Sequence, residues 1–208
     1  MSKLIKNLLQ EALQLHELLL EDKAVEQLVI FVDLLMQWNQ VFNLTAIDQP
    51  REIVYLHLID SLLVMPFLHG KNCLDVGSGG GFPGIPLAIA LPHYQWTLLD
   101  KNSKKTRFLK QVVNQLELRN VHIVHENCQY FQSPIGFDRI FSRAFSEIQK
   151  MIEVTQHLLQ KEGKWIAMKG KYPATELLNL PSSFRYDVAE LNMIGMDVER
   201  HVISISRT

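Results

Sequence analysis

Five of the ten glycines in this 208-residue chain fall within eight positions, Gly77-Ser78-Gly79-Gly80-Gly81-Phe82-Pro83-Gly84. Glycine lets a backbone approach a ligand closely and adopt positive φ. The stretch follows the short apolar run Asn72–Val76 and precedes a helical pattern, which is where a doubly wound fold binds its ligand. Its last six residues satisfy the dinucleotide pattern GxGxxG, a weak signal alone. Two neighbours argue against a pyrophosphate there. Asp75, two residues before the first glycine, repels phosphate and tolerates a cation, and Pro83 removes a backbone N–H at a helix start. A ligand with a positive centre and an amino-acid ammonium group suits the loop better.

Further on, Trp96-Thr97-Leu98-Leu99-Asp100 reads as a strand ending in an acid 23 residues after Gly77. A carboxylate at that tip of a nucleoside-binding α/β fold accepts hydrogen bonds from ribose hydroxyls. A helix cap is the competing role for Asp100, with Ser103 also available for it. S-adenosyl-L-methionine carries adenosine, a sulfonium and an ammonium; NAD shares only the adenosine, and Asp75 weighs against it. Directly after Asp100 stand Lys101, Lys104, Lys105, Arg107 and Lys110, with no acid among them. Net charge is −1, but residues 1–100 carry −6 and residues 101–208 carry +5, an asymmetry that can mark a nucleic-acid face. The eight histidines are scattered without a Ser–His–Asp or Cys–His spacing, and His57 stands out only as a structural hydrogen-bonding group. Cys73 and Cys128 form no CxxC pair, which argues against a disulfide scaffold and a zinc site and for a reducing compartment.

These residues need a scaffold to position them. Leu4, Ile5, Leu8, Leu9, Ala12 and Leu13 recur at helical spacing, as do Val25, Leu28, Val29, Val32, Leu35 and Met36. A third helix starts at Pro50 and runs through His57, Asp60 and Ser61. From residue 71 short apolar runs alternate with helical patterns. Strands are predicted at Asn72–Val76, Gln95–Leu99, Val121–Val124, Arg139–Ser142 and Gly163–Met168, and helices at Pro83–Ala90, Lys104–Leu116 and Ile148–Leu159. Phe184–Leu191 and Val198–Ser206, joined near Gly195, should pair as an antiparallel hairpin at a sheet edge. The expected fold is α/β: a mostly parallel Rossmann-like sheet over 71–208 that binds the ligand, with a helical cap over 1–70. A composition of 47% hydrophobic and 21% charged residues excludes a disordered or low-complexity chain. No run reaches the ~18 apolar residues of a membrane span, and Asn7, Gln10, Glu11 and Glu17 break the first helix unlike a signal peptide, so a soluble, cytoplasmic protein is expected.

The chain resembles the class I S-adenosyl-L-methionine-dependent methyltransferases, and more narrowly the bacterial 16S rRNA guanine-N7 methyltransferases, the glucose-inhibited division protein B family. The residues that carry the resemblance are Trp38-Asn39, Asn43-Leu44-Thr45, His57, Asp60-Ser61, Asp75-Val76-Gly77-Ser78-Gly79 and Gly81-Phe82-Pro83-Gly84-Ile85-Pro86-Leu87. They continue through Asp100, Lys104-Lys105, Phe108-Leu109, Ser142-Arg143-Ala144-Phe145, Lys169-Gly170 and Glu199-Arg200-His201. The resemblance implies methyl transfer to N7 of guanine 527 of 16S rRNA, with a monomer acting on 16S rRNA or the small ribosomal subunit. It implies cofactor contacts at Gly77, Gly79, Phe82, Asp100, Cys128, Gln129 and Arg143. Around 127–130 the family commonly has Arg and then an acid where this chain has Asn127-Cys128-Gln129-Tyr130; the Gln129 amide oxygen can still accept from adenine.

Guanine N7 carries no proton, so the reaction needs no general base. Arg143 is the candidate polar contributor, shaping the cofactor pocket or orienting the guanine. RNA contact is expected from Lys101, Lys104, Lys105, Arg107, Lys169 and Arg200, with Lys110 and Lys171 beside them, and from Phe82 or Tyr172 stacking on a base. A NAD-dependent oxidoreductase, a non-catalytic ribosome-binding factor and a methyltransferase with another acceptor remain as alternatives.

Overall fold

The computed structural model describes residues 1–143, 145 and 147–208; Ala144, part of the motif after the fourth strand, lies outside them. Seven strands form one sheet in the order β3-β2-β1-β4-β5-β7-β6. They are β1 (Asn72–Val76), β2 (Gln95–Asp100), β3 (Val121–His125), β4 (Phe137–Ser142), β5 (Leu159–Lys169), β6 (Phe184–Glu190) and β7 (His201–Arg207). β1 to β5 pair parallel, and β7 pairs antiparallel with β5 on one side and β6 on the other. The order reverses between β1 and β4, and the crevice outside the carboxyl ends of the strands at such a switch point is where open α/β sheets bind ligands.

Side chains alternate between faces along each strand. Cys73, Leu98, Phe141, Ile166 and Val202 face one core, and their neighbours Leu74, Leu99, Ile140, Ala167 and Ile203 face the other. The first core also holds Ile5, Leu9, Leu28, Phe31, Leu35 and Leu58 from the helical segment, so the sheet and the cap bury apolar surface against each other. The cap consists of α1 (Ser2–Leu15), α2 (Asp22–Phe42), α3 (Pro50–Ile53), a π-helical turn (Val54–Ile59) and α4 (Asp60–Leu62). α5 (Gly84–Ala90) and α6 (Ser103–Gln115) lie on the cap side, while α7 (Ile148–Thr155) and α8 (Ala174–Leu178) cover the opposite face.

Three expectations are corrected. The third helix is not uniform: six of its residues widen into a π-turn. The helix from Ile148 stops at Thr155, and its expected last residue, Leu159, opens β5. The last strand begins at His201 rather than Val198, which leaves an irregular connection over 191–200. No helix among the described residues is long and apolar enough to cross a membrane.

Candidate active site

The glycine loop leaves β1 and turns back over β2. Gly77 N and Ser78 N both donate to the Leu99 carbonyl, at 2.8 and 3.2 Å. Gly79 has φ +56°, a conformation natural to glycine, and its N–H donates to Asp100 Oδ2 at 2.8 Å. The other carboxylate oxygen accepts from Asn102 N at 2.8 Å. Asp100 is therefore the post to which the loop is tied. It does not cap α6; the Asn102 side chain does, accepting from Lys104 N at 3.0 Å. The four lone-pair sites of the carboxylate leave room for further donors.

Asp75 acts differently from the sequence expectation. It is buried in a central strand rather than facing a ligand, and its Oδ2 accepts from Gly84 N at 3.1 Å. A Cβ on Gly84 would stand 2.8 Å from that oxygen, so only glycine lets α5 start this close. Oδ1 has no hydrogen-bond partner among the described residues. Burial pushes the carboxyl up to about 7.

A cavity of about 400 Å³ opens beside this loop. It is lined by Gly77, Asp100, Lys101 and Lys105 on one side and Glu126, Asn127, Cys128 and Gln129 on the other. Cys128 is half-buried, and burial pushes its thiol up, so it stays a neutral wall of the cavity. Lys105 Nζ lies 3.7 Å from where a Cβ on Gly79 would stand, which places this lysine against the loop.

A second cavity, of about 290 Å³, lies between the cap and the far strands. Leu56, His57 and Asp60 line it from the cap, Arg143 from the end of β4, and Lys169, Gly170 and Arg200 from β5 and the hairpin. Asp60 is buried and takes one arginine on each oxygen: Arg143 Nη1 at 3.3 Å on Oδ2 and Arg200 Nε at 3.0 Å on Oδ1. Burial pushes its carboxyl up, against the pull of both guanidiniums. Arg143 Nη1 also donates to the Leu56 carbonyl at 3.1 Å, and its guanidinium carbon lies 5.2 Å over the Phe82 ring.

Phe82 stacks on His57 at 4.4 Å between centroids and packs against Phe31, and only 4% of it is exposed. That corrects the expectation that it stacks on a base: its faces are already covered by protein. Tyr172 does remain exposed. The tautomer of His57 follows from its partners. Nδ1 lies 3.0 Å from the Leu56 carbonyl, which can only accept, so Nδ1 carries the hydrogen. Nε2 then accepts from the Thr45 hydroxyl at 2.8 Å, and the Thr45 N–H is held by Asn39 Oδ1 at 2.9 Å. Burial, with help from Arg143, lowers His57 to about 3. The motif residues Asn39 and Thr45 thus serve one purpose, holding a neutral imidazole flat beneath Phe82.

Gly77, Gly79, Asp100, Cys128 and Gln129 gather at the first cavity, and Arg143, Lys169 and Arg200 at the second. Lys104, Arg107 and Lys110 lie exposed on α6, whereas Lys101 and Lys105 line the first cavity. Lys169 is engaged by Glu176, with both oxygens at 2.9 Å. Arg143 pairs with Asp60, 83 positions earlier in the chain. Sequence reasoning assigned Asp60 no role, although its place in a motif with His57 was the available signal.

Comparison with known proteins bears on this arrangement. Residues 24–203 match the family model described as rRNA small subunit methyltransferase G. A protein of that name from Stutzerimonas stutzeri is 47% identical over 192 residues, covering 91% of this chain and 89% of the relative. Its namesake in Chromobacterium violaceum is 46% identical over 204 residues, covering 97% and 95%. A SAM-dependent methyltransferase from Aquifex aeolicus superposes with a TM-score of 0.60 at 16% identity, over 78% of this chain and 96% of that one, a likeness of fold.

Proposed function

This chain belongs to the rRNA small subunit methyltransferase G family, and from that premise we propose that it methylates N7 of a guanine in 16S rRNA, the family's guanine 527. The chain is a class I methyltransferase of small-subunit rRNA whose cofactor is S-adenosyl-L-methionine. The first cavity fits that group: its volume suits a nucleoside, and the carboxylates of Asp100 and Glu126 and the Gln129 amide line it. Gly77 and Gly79 would admit the cofactor close to the backbone, Asp100 would hold ribose hydroxyls, and Cys128 and Gln129 would border the adenine. Arg143, its guanidinium over the Phe82 ring, lines the second cavity, where the acceptor would enter. The cofactor supplies a methyl group made electrophilic by its sulfonium.

The observation that supports N7 is the state of the second cavity's basic groups. Both nitrogens of His57 are spent, one as donor and one as acceptor. Both oxygens of Asp60 are held by arginines. His57 has no free lone pair, and the Asp60 carboxylate is buried between two guanidiniums, so neither is placed to take a proton from an acceptor, and an acceptor that has no proton to lose needs none. Catalysis then rests on proximity and alignment of N7 with the methyl group. The protein is expected to act as a monomer in the cytoplasm, on 16S rRNA or the small subunit.

The test is incubation with labelled S-adenosyl-L-methionine and small-subunit rRNA from cells lacking the protein, followed by mapping of the label. N7-methylguanine at a single site is expected. Label on another atom or base overturns the acceptor, and the absence of transfer to RNA overturns the function.

A further inference from the structure

The charge of the second cavity is unlike that of the chain as a whole. Its lining holds Arg143, Lys169 and Arg200; Glu176 pairs with Lys169 and Asp60 is shared by the two arginines, which leaves one positive charge over, in a protein whose net charge is −1. His57 adds no charge, being neutral down to about pH 3. The two arginines come from distant parts of the chain, and each is fixed at one end only. Arg143 uses Nη1 on Leu56 and Asp60; Arg200 uses Nε on Asp60 and Nη1 on the Glu199 carbonyl at 2.8 Å. Among the described residues no acceptor meets Arg143 Nε or Nη2, nor Arg200 Nη2. Both side chains remain about a quarter exposed, at 27% and 23%, while Asp60 is at 3%.

A guanidinium with free donors, oriented from behind by a buried carboxylate, suits an anionic oxygen arriving from the open side. Apolar Ile47, Leu56, Met168 and Leu191 line the same space, a setting for the uncharged part of one nucleotide. We propose that this cavity seats a phosphodiester of the acceptor RNA strand on Arg143 and Arg200, with Asp60 as the positioning residue that aims both guanidiniums. The seat rests on the rRNA reading and adds where the strand is held.

The decisive variant is Asp60→Asn, because two roles give opposite signs. Removing a negative charge beside a polyanion would strengthen RNA binding if charge alone mattered. Loss of the group that aims the arginines weakens it instead. With full-length protein and 16S rRNA, Asp60→Asn is expected to raise KM for RNA about tenfold, with kcat and cofactor Kd within about threefold, because Arg143 keeps the Leu56 carbonyl. Arg200→Gln is expected to lower the slope of log affinity against log salt by about one unit. An unchanged or lowered KM in a folded Asp60→Asn protein overturns the seat. Should that variant not fold, Arg200→Gln decides alone, and an unchanged salt slope overturns the seat. Wild-type protein that transfers no methyl to rRNA overturns the function, and with it the ligand assigned here; wild-type transfer beside an unaltered variant overturns the seat only.

Discussion

Asp75 and His57 are buried ionisable groups that act on stability with opposite signs. The folded state raises Asp75 to about 7, so its contribution is complete below about pH 4 and is lost as pH rises through 7. Folding lowers His57 to about 3, so its contribution is complete above about 6.5 and is lost as pH falls toward 3. Between about pH 4 and 6.5 each changes stability by ~1.4 kcal/mol per pH unit, in opposite directions. Asp75→Asn removes one arm of this balance. Its urea midpoint should fall, relative to wild type, by the equivalent of about 2 kcal/mol on going from pH 6.5 to 5; parallel pH profiles for the two proteins would count against the burial argument. Asp60, also raised by burial, adds to the Asp75 side in both proteins and drops out of the comparison. Asp100 is the residue proposed to meet the cofactor's ribose. Asp100→Ala removes both the proposed ribose acceptor and the tie to Gly79 N, and should weaken S-adenosyl-L-methionine binding by about 1.5–3 kcal/mol in calorimetry. Unchanged affinity in a folded variant would take Asp100 out of the site.

At the scale of elements, α6 separates two lysines that are adjacent in sequence. Lys104 is exposed on the solvent face, while Lys105 lines the first cavity and reaches the glycine loop. Lys104→Ala should lower the salt slope of RNA binding by about one unit and leave cofactor affinity alone. Lys105→Ala removes a positive charge beside the cavity proposed to receive the cofactor and its sulfonium. It should therefore shift binding toward the cationic cofactor relative to its neutral-sulfur, demethylated product; an unchanged ratio of the two dissociation constants would place Lys105 outside the cofactor's field. Features set within one or two elements were legible beforehand: the glycine loop, the strand ending at Asp100, the alternation of strands and helices, and the closing hairpin. The π-turn was not, because widening one turn leaves the apolar spacing of Val54, Leu58 and Ile59 helical in appearance. Nor was the Asn102 cap, since Asp100 and Ser103 are equally good capping types and only the loop's demand on Asp100 decides between them. The partners of Asp60 lie 83 and 140 positions away, a distance at which residue type and spacing say nothing about contact.

In the whole molecule, the core on the cap side of the sheet draws on both parts of the chain, so the cap is expected to unfold together with the sheet that carries the loop. Leu9, fully buried on α1, packs into the same cluster as Leu98 of β2 and Phe108 of α6. Leu9→Ala should cost about 2–5 kcal/mol, with the loss appearing in the sheet as well as the cap. Far-ultraviolet dichroism and the fluorescence of Trp38, Trp96 and Trp165 should then give one shifted midpoint; a cap that melts first while Trp165 keeps its native signal would show two units. The bond from Arg200 to Asp60 also bears on time. It closes a loop of 140 residues and needs the cap, β5 and β7 already in place. Such contacts form late, because the chain loses loop entropy before they can stabilise anything. After dilution from denaturant, secondary structure should return first and competence toward RNA last, so newly folded molecules should pass through an interval in which the proposed nucleoside cavity is formed and the proposed strand seat is still open.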